Sequence, residues 1–117
     1  MGNWLSPIPD VPMDSPEGTL VQEILHDKIV VVFSKTYCPY CTMAKKALDE
    51  HNANYATVEL DKREDGKRIQ SVLGKMTGAT TVPRVFIKGK FIGGGTEVKQ
   101  LNDEGKLEGM LRDCGAI

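Results

Sequence analysis

An apolar run that leads straight into a cysteine motif constrains this chain more than any other stretch. Ile29-Val30-Val31-Val32-Phe33 is short and mostly β-branched, so it reads as a buried strand rather than a helix. Lys35-Thr36-Tyr37-Cys38-Pro39-Tyr40-Cys41 follows, and Cys41-Thr42-Met43-Ala44-Lys45-Lys46-Ala47-Leu48 then has helical character. Pro39 suits the first turn of that helix, where a missing N–H costs nothing. Cys38 therefore falls where a strand ends and a helix begins.

The placement has chemical consequences. Unpaired N–H groups and the macrodipole at a helix N-terminus favour negative charge, and Lys35 adds a nearby cation. Both favour the thiolate of Cys38, the form that acts as nucleophile. Cys41 lies three residues on, one helical turn deeper and on the same face, where the pair can close a disulfide of ordinary geometry. The outer sulfur attacks and the inner one resolves. A C-x-x-C pair also occurs by chance, and it forms half of many zinc sites. A closed zinc site would have to recruit Cys114, His51 or His26, because the chain has no second C-x-x-C. The strand before, the helix after and the proline inside fit redox chemistry better.

The remaining elements can be read from periodicity. Ser15-Pro16-Glu17 is a cap, a proline at the first helical position and an acid in the first turn, so a helix runs from there to about Asp27. Tyr55–Leu60 reads as a second strand, and Ile69, Val72, Leu73 and Met76 recur at helical spacing. Val85-Phe86-Ile87 and Phe91-Ile92 flank Lys88-Gly89-Lys90 and read as a hairpin. A last helical segment spans about Thr96 to Cys114, broken near Gly105. A β-α-β crossover makes the first two strands parallel, while the hairpin strands pair antiparallel. The result is an α/β domain with a four-stranded mixed sheet and helices on both faces.

The chain of 117 residues carries a net charge of −1 with acids and bases mixed, which gives no reason to expect a nucleic-acid partner. No stretch approaches a membrane span or a secretory signal. Three cysteines are too few for a disulfide framework, so a reducing, cytoplasmic setting is expected. Residues 1–17 hold Pro7, Pro9, Pro12 and Pro16 and few core formers beyond Trp4 and Leu5, and read as a disordered tail before a domain at 18–117. The opening Met1-Gly2-Asn3-Trp4-Leu5-Ser6 fits the N-myristoylation pattern, which would add a weak membrane association. A mitochondrial presequence fits less well, since the first 27 residues contain no arginine and several acids.

Taken together, KTYCPYC after an apolar strand, Lys75-Met76-Thr77-Gly78, Thr81-Val82-Pro83-Arg84-Val85-Phe86-Ile87 and Phe91-Ile92-Gly93-Gly94 resemble the motifs of the dithiol glutaredoxins, in that family's order. The resemblance covers about residues 18–113. It implies the thioredoxin-like fold and glutathione as co-substrate. It also implies that Pro83 follows a cis peptide bond and faces Cys38, leaving the Val82 backbone to pair with the cysteinyl part of a peptide ligand. The γ-glutamyl end would meet the glycine-rich turn at Gly94, Gly95 and Thr96, with Glu97 in place of the usual Asp. The glycyl carboxylate would meet Lys35 and Gln70, with Tyr40 alongside. Lys67 and Arg68 read as a solvated helix face.

The body is most similar to the vertebrate glutaredoxin 2 subgroup, from which it departs twice. That subgroup has serine where this chain has Pro39, and its members share an iron–sulfur cluster between two subunits and two glutathiones. A proline is expected to disfavour the cluster. Cys114 matches a cysteine paired there with one on the first strand, but Ile29 occupies the strand position here, so Cys114 is expected to be a free thiol.

The expected function is a glutathione-dependent thiol–disulfide oxidoreductase, with Cys38 as nucleophile, Cys41 as resolving thiol and no metal. It would act as a monomer on glutathionylated and disulfide-containing proteins. The alternatives are an iron–sulfur carrier with Cys38 as ligand, and a thioredoxin-type partner of an NADPH flavoprotein. Tyr37, in the place where thioredoxins commonly carry Trp, argues against the second.

Overall fold

A strand made almost entirely of valine has apolar side chains on both faces, and it needs a layer on each side. The computed structural model, which describes residues 7–117, supplies them. β1 (Val30–Ser34) is central in a sheet completed by β2 (Ala56–Glu59), β3 (Arg84–Ile87) and β4 (Lys90–Gly93), in the order β2-β1-β3-β4. β1 runs parallel to β2 and antiparallel to β3, and β3 to β4 is antiparallel. The helices are α1 (Pro16–Asp27), α2 (Pro39–Asp49), α3 (Gly66–Thr77), α4 (Gly95–Asp103) and α5 (Lys106–Asp113). This is the thioredoxin-like arrangement expected above.

Alternation along β1 divides the core. Val30 and Val32 point into a layer shared with Ala44, Leu48, Val98, Leu107 and Leu111, under α2, α4 and α5. Val31 and Phe33 point the other way, into a layer with Val21, Leu25, Ile69, Val72 and Leu73 from α1 and α3. Phe33 meets Phe86 edge to face, with ring centroids 5.7 Å apart. The break between α4 and α5 falls at Gly105, whose φ of 76° is the left-handed conformation that a side chain disfavours. The second strand is shorter than its apolar pattern predicts, because Leu60 turns into a 3-10 helix (Leu60–Lys62) that buries it against α3.

The N-terminal boundary differs from the expected one. Ser15 caps α1, its hydroxyl accepting from the Gly18 amide at 3.1 Å. Upstream of the cap, Val11 is fully buried in the α1–α3 layer. Its N–H donates to Ser71 Oγ at 3.0 Å and its carbonyl accepts from Lys75 Nζ at 2.7 Å, while Lys75 also pairs with Asp10. Residues 10–15 therefore form a strap along α3. Pro9 and Pro12, which made the segment look unstructured, lower the entropy lost when such a strap is ordered. The Gly2 lipidation pattern and Trp4 and Leu5 of the expected tail lie outside the described residues.

Candidate active site

The site is assembled at the end of β1 by three elements. Cys38 is the N-cap of α2, and its sulfur accepts from the Cys41 amide at 3.2 Å. The Cys41 N–H of the first turn thus faces the sulfur, a contact that favours an anion there. The Val82–Pro83 bond is cis, and the thiol of Cys38 donates to the Val82 carbonyl at 3.6 Å. Cys38 is half-buried, whereas Cys41 has no exposed surface.

Burial pushes the Cys41 thiol up from 9.0 to about 11, and the adjoining Cys38 sulfur adds to the effect. The two cysteines are therefore unlike, an accessible outer sulfur and a protonated inner one. The sign of the pH dependence follows. An unfolded chain releases the Cys41 proton near pH 9, whereas the fold keeps it until about 11. The stabilisation is complete below pH 9 and is lost as pH rises through 11, at a cost of roughly 2–3 kcal/mol. Under reducing conditions the urea midpoint should fall further between pH 8 and 11 in the parent chain than in Cys41→Ala. Equal falls would contradict this assignment.

A groove of about 340 Å³ runs from the cis proline to the start of α4. Thr81, Val82, Pro83 and Arg84 form one wall, and Tyr40 with the Gly94–Glu97 turn forms the other. The turn lies close against α2. A methyl group built on Gly95 would stand 2.6 Å from the Tyr40 carbonyl oxygen, so only glycine permits the approach. Glu97 folds back so that its Oε1 accepts from the Gly94 amide at 2.7 Å, which leaves the Gly95 and Thr96 amides as first-turn donors.

Most residues expected at the site do converge on it. Gln70 is turned inward: it is 5% exposed, its amide donates to the Thr80 carbonyl and its own carbonyl oxygen is buried without a partner. It braces the loop before the cis proline. Lys35 accepts the Cys38 N–H at its carbonyl, 3.2 Å away. The pKa of Lys67 is lowered by burial and by the charge of Lys35.

Two further residues, not expected at the site from the sequence, belong to it. Asp61 accepts from both the amide and the hydroxyl of Thr36, two positions before Cys38. Burial pushes its carboxyl up, but the bonds from Thr36 outweigh that and hold it below the usual range. Arg84 is the other, buried under the groove at 9% exposure. Cys114 stands apart as a free thiol, donating to the Leu111 carbonyl at 3.3 Å.

The family model for Glutaredoxin matches residues 30–92, the span from β1 through the cysteine pair and the cis proline to β4. The chain belongs to the glutaredoxin family. A mitochondrial glutaredoxin-2 from Homo sapiens is 52% identical over 94 residues, which is 80% of this chain and 57% of that one. The chain thus spans under two thirds of the length of the mitochondrial relatives it matches. A glutaredoxin from Ricinus communis is 48% identical over 99 residues, 85% of this chain and 97% of the relative. Among solved structures, a buckwheat glutaredoxin–glutathione complex superposes with a TM-score of 0.82 at 45% identity, covering 91% of this chain and 99% of that one. Glutaredoxin 2 from Chlamydomonas reinhardtii, in its oxidised form, gives 0.81 at 40% identity, with 88% and 100% covered.

Proposed function

We propose that the protein is a glutathione-dependent thiol–disulfide oxidoreductase that removes glutathione from mixed disulfides and reduces protein disulfides. The observation that carries this reading is the position of the Cys38 sulfur. It caps α2 at the margin of a groove whose far end is the first turn of α4. A glutathionyl group has a carboxylate at each end and a sulfur between them, and the site offers a matching order. In this reading Lys35 and Gln70 meet the glycyl carboxylate, Cys38 beside the Val82 carbonyl meets the sulfur, and the Gly95–Thr96 amides meet the γ-glutamyl carboxylate.

The chemistry balances through sulfur alone. The Cys38 thiolate attacks the glutathionyl sulfur, the S–S bond to the substrate protein breaks, and the substrate leaves as a thiolate that takes up a proton. A second glutathione, as thiolate, attacks the Cys38–glutathione disulfide, releasing glutathione disulfide and the Cys38 thiolate. For a protein disulfide, Cys38 is bonded to the substrate and the Cys41 thiolate displaces it, forming a Cys38–Cys41 disulfide that two glutathiones reduce, leaving as glutathione disulfide. The Cys38 charge and hydrogen bond that helped keep Cys41 protonated are gone while Cys38 is bonded to the substrate, and only burial still opposes its ionisation. Cys41 becomes easier to ionise when its thiolate is needed.

The test uses a glutathionylated peptide, catalytic protein and excess glutathione, with peptide thiol followed by mass spectrometry. Multiple turnovers dependent on glutathione are expected. Turnover driven only by an NADPH flavoprotein, or none, would overturn the reading. The cluster-carrier alternative would declare itself in the same preparation by a brown colour and visible absorption after anaerobic purification.

A further inference from the structure

We propose that Arg84 is the positioning and specificity residue of the groove. Its buried guanidinium fastens the cis-proline loop to the glycine turn and supplies, from beneath, the positive charge met by the anionic γ-glutamyl end of a glutathionyl group. The proposal rests on the reading of this groove as a glutathionyl site.

β3 is buried along its whole length, and a strand of that kind ordinarily carries apolar residues throughout. Arginine at its first position is expensive, because a charge removed from water needs compensation. Hydrogen bonds provide part of it. Nε donates to the Pro83 carbonyl at 3.0 Å, Nη2 to the Thr81 hydroxyl at 3.1 Å, and Nη1 reaches the Thr77 hydroxyl at 3.4 Å. The Phe91 ring lies under the guanidinium, 4.9 Å from its carbon. One side chain therefore ties the C-terminal end of α3, both sides of the cis bond and β4 together.

None of those partners is an anion. Among the described residues Arg84 forms no ion pair with a carboxylate, and the acid whose charge it feels is Glu97, whose Oε1 lies beside the same Gly94 backbone as Nη2. Nη2 also lies beside the Gly94 backbone, 3.1 Å from where a methyl on that residue would sit. The fork thus lies against the backbone of the turn at Gly94, next to the amides of Gly95 and Thr96. Glu97 is held by the Gly94 amide, and a ligand carboxylate on the Gly95 and Thr96 amides would bring a second anion toward the fork. A neutral disulfide gains nothing from it.

Selectivity is the readout. Single-turnover rates are measured for glutathione disulfide and for dithiodipyridine, a small neutral disulfide, in the parent chain, Arg84→Gln, Arg84→Lys and the surface control Arg112→Gln. The ratio of the two rates is expected to fall about tenfold in Arg84→Gln and by less in Arg84→Lys, which keeps the charge and loses the fork. Arg112→Gln should keep the parental ratio. A ratio unchanged in Arg84→Gln, as when both rates fall together, overturns the proposal. If Arg84→Gln does not fold, Arg84→Lys decides alone: a lowered ratio supports the role and a parental ratio overturns it. A parent chain with no preference for glutathione disulfide would instead remove the underlying reading of the groove, a result distinct from a loss confined to the Arg84 variants.

Discussion

Replacing Cys38 by serine is expected to abolish both deglutathionylation and protein-disulfide reduction, by about a thousandfold or more, because a serine hydroxyl offers no comparable anion at neutral pH. Cys41→Ser should behave differently. Removing glutathione from a protein uses one enzyme thiol, since a second glutathione does the resolving, so this activity should persist. It should rise if the internal disulfide is a side reaction. Reduction of a protein disulfide passes through a protein–enzyme mixed disulfide that Cys41 is placed to break, and it should fall when glutathione is scarce. Steady-state assays on a glutathionylated peptide and on a disulfide-bonded protein separate the two. Loss of deglutathionylation in Cys41→Ser with retention in Cys38→Ser would sink the mechanism.

The second large effect comes from a single methyl group. Gly95→Ala places a carbon 2.6 Å from the Tyr40 carbonyl oxygen, closer than such atoms approach, so the N-terminus of α4 must retreat from α2. Overpacking of this kind costs about 1–3 kcal/mol. The retreat also displaces the amides at the far end of the groove, and a misplacement near 1 Å costs roughly a hundredfold in rate. We expect kcat/KM for a glutathionylated peptide to fall by about ten- to a hundredfold, mostly through KM, together with a lowered urea midpoint. Parental kinetics in a folded Gly95→Ala protein would show that the approach of α4 to Tyr40 does not shape the site.

What the sequence made legible was whatever is encoded locally. The run at 29–33, the cap at Ser15, the break at Gly105 and the cysteine pair each depend on a few adjacent residues, and each recurs in the structure. What was missed depends on partners far along the chain. Val11 joins the core only because Ser71 and Lys75 hold its backbone. Asp61 matters because Thr36 lies beside it after a crossover. Arg84 could be seen as part of a motif, but a positive charge in a strand says nothing about burial until the elements around it are placed. Gln70 shows the opposite limit: the resemblance offered it to a ligand, and packing turned its amide toward the Thr80 carbonyl.

The strap along α3 also decides how this molecule can be tethered. Ile8, Pro9 and Asp10 share a cavity with Thr80 and Thr81, so the chain enters the fold beside the mouth of the groove. The Ala116 carbonyl accepts from Asn54 and lies near Lys28 and Ile29, at the end of β1 away from Cys38. A fluorescent reporter or a solid support joined upstream of residue 8 would crowd large substrates at the entrance. The same cargo attached near Ala116 would hang at the end of β1 away from Cys38 and leave the entrance open.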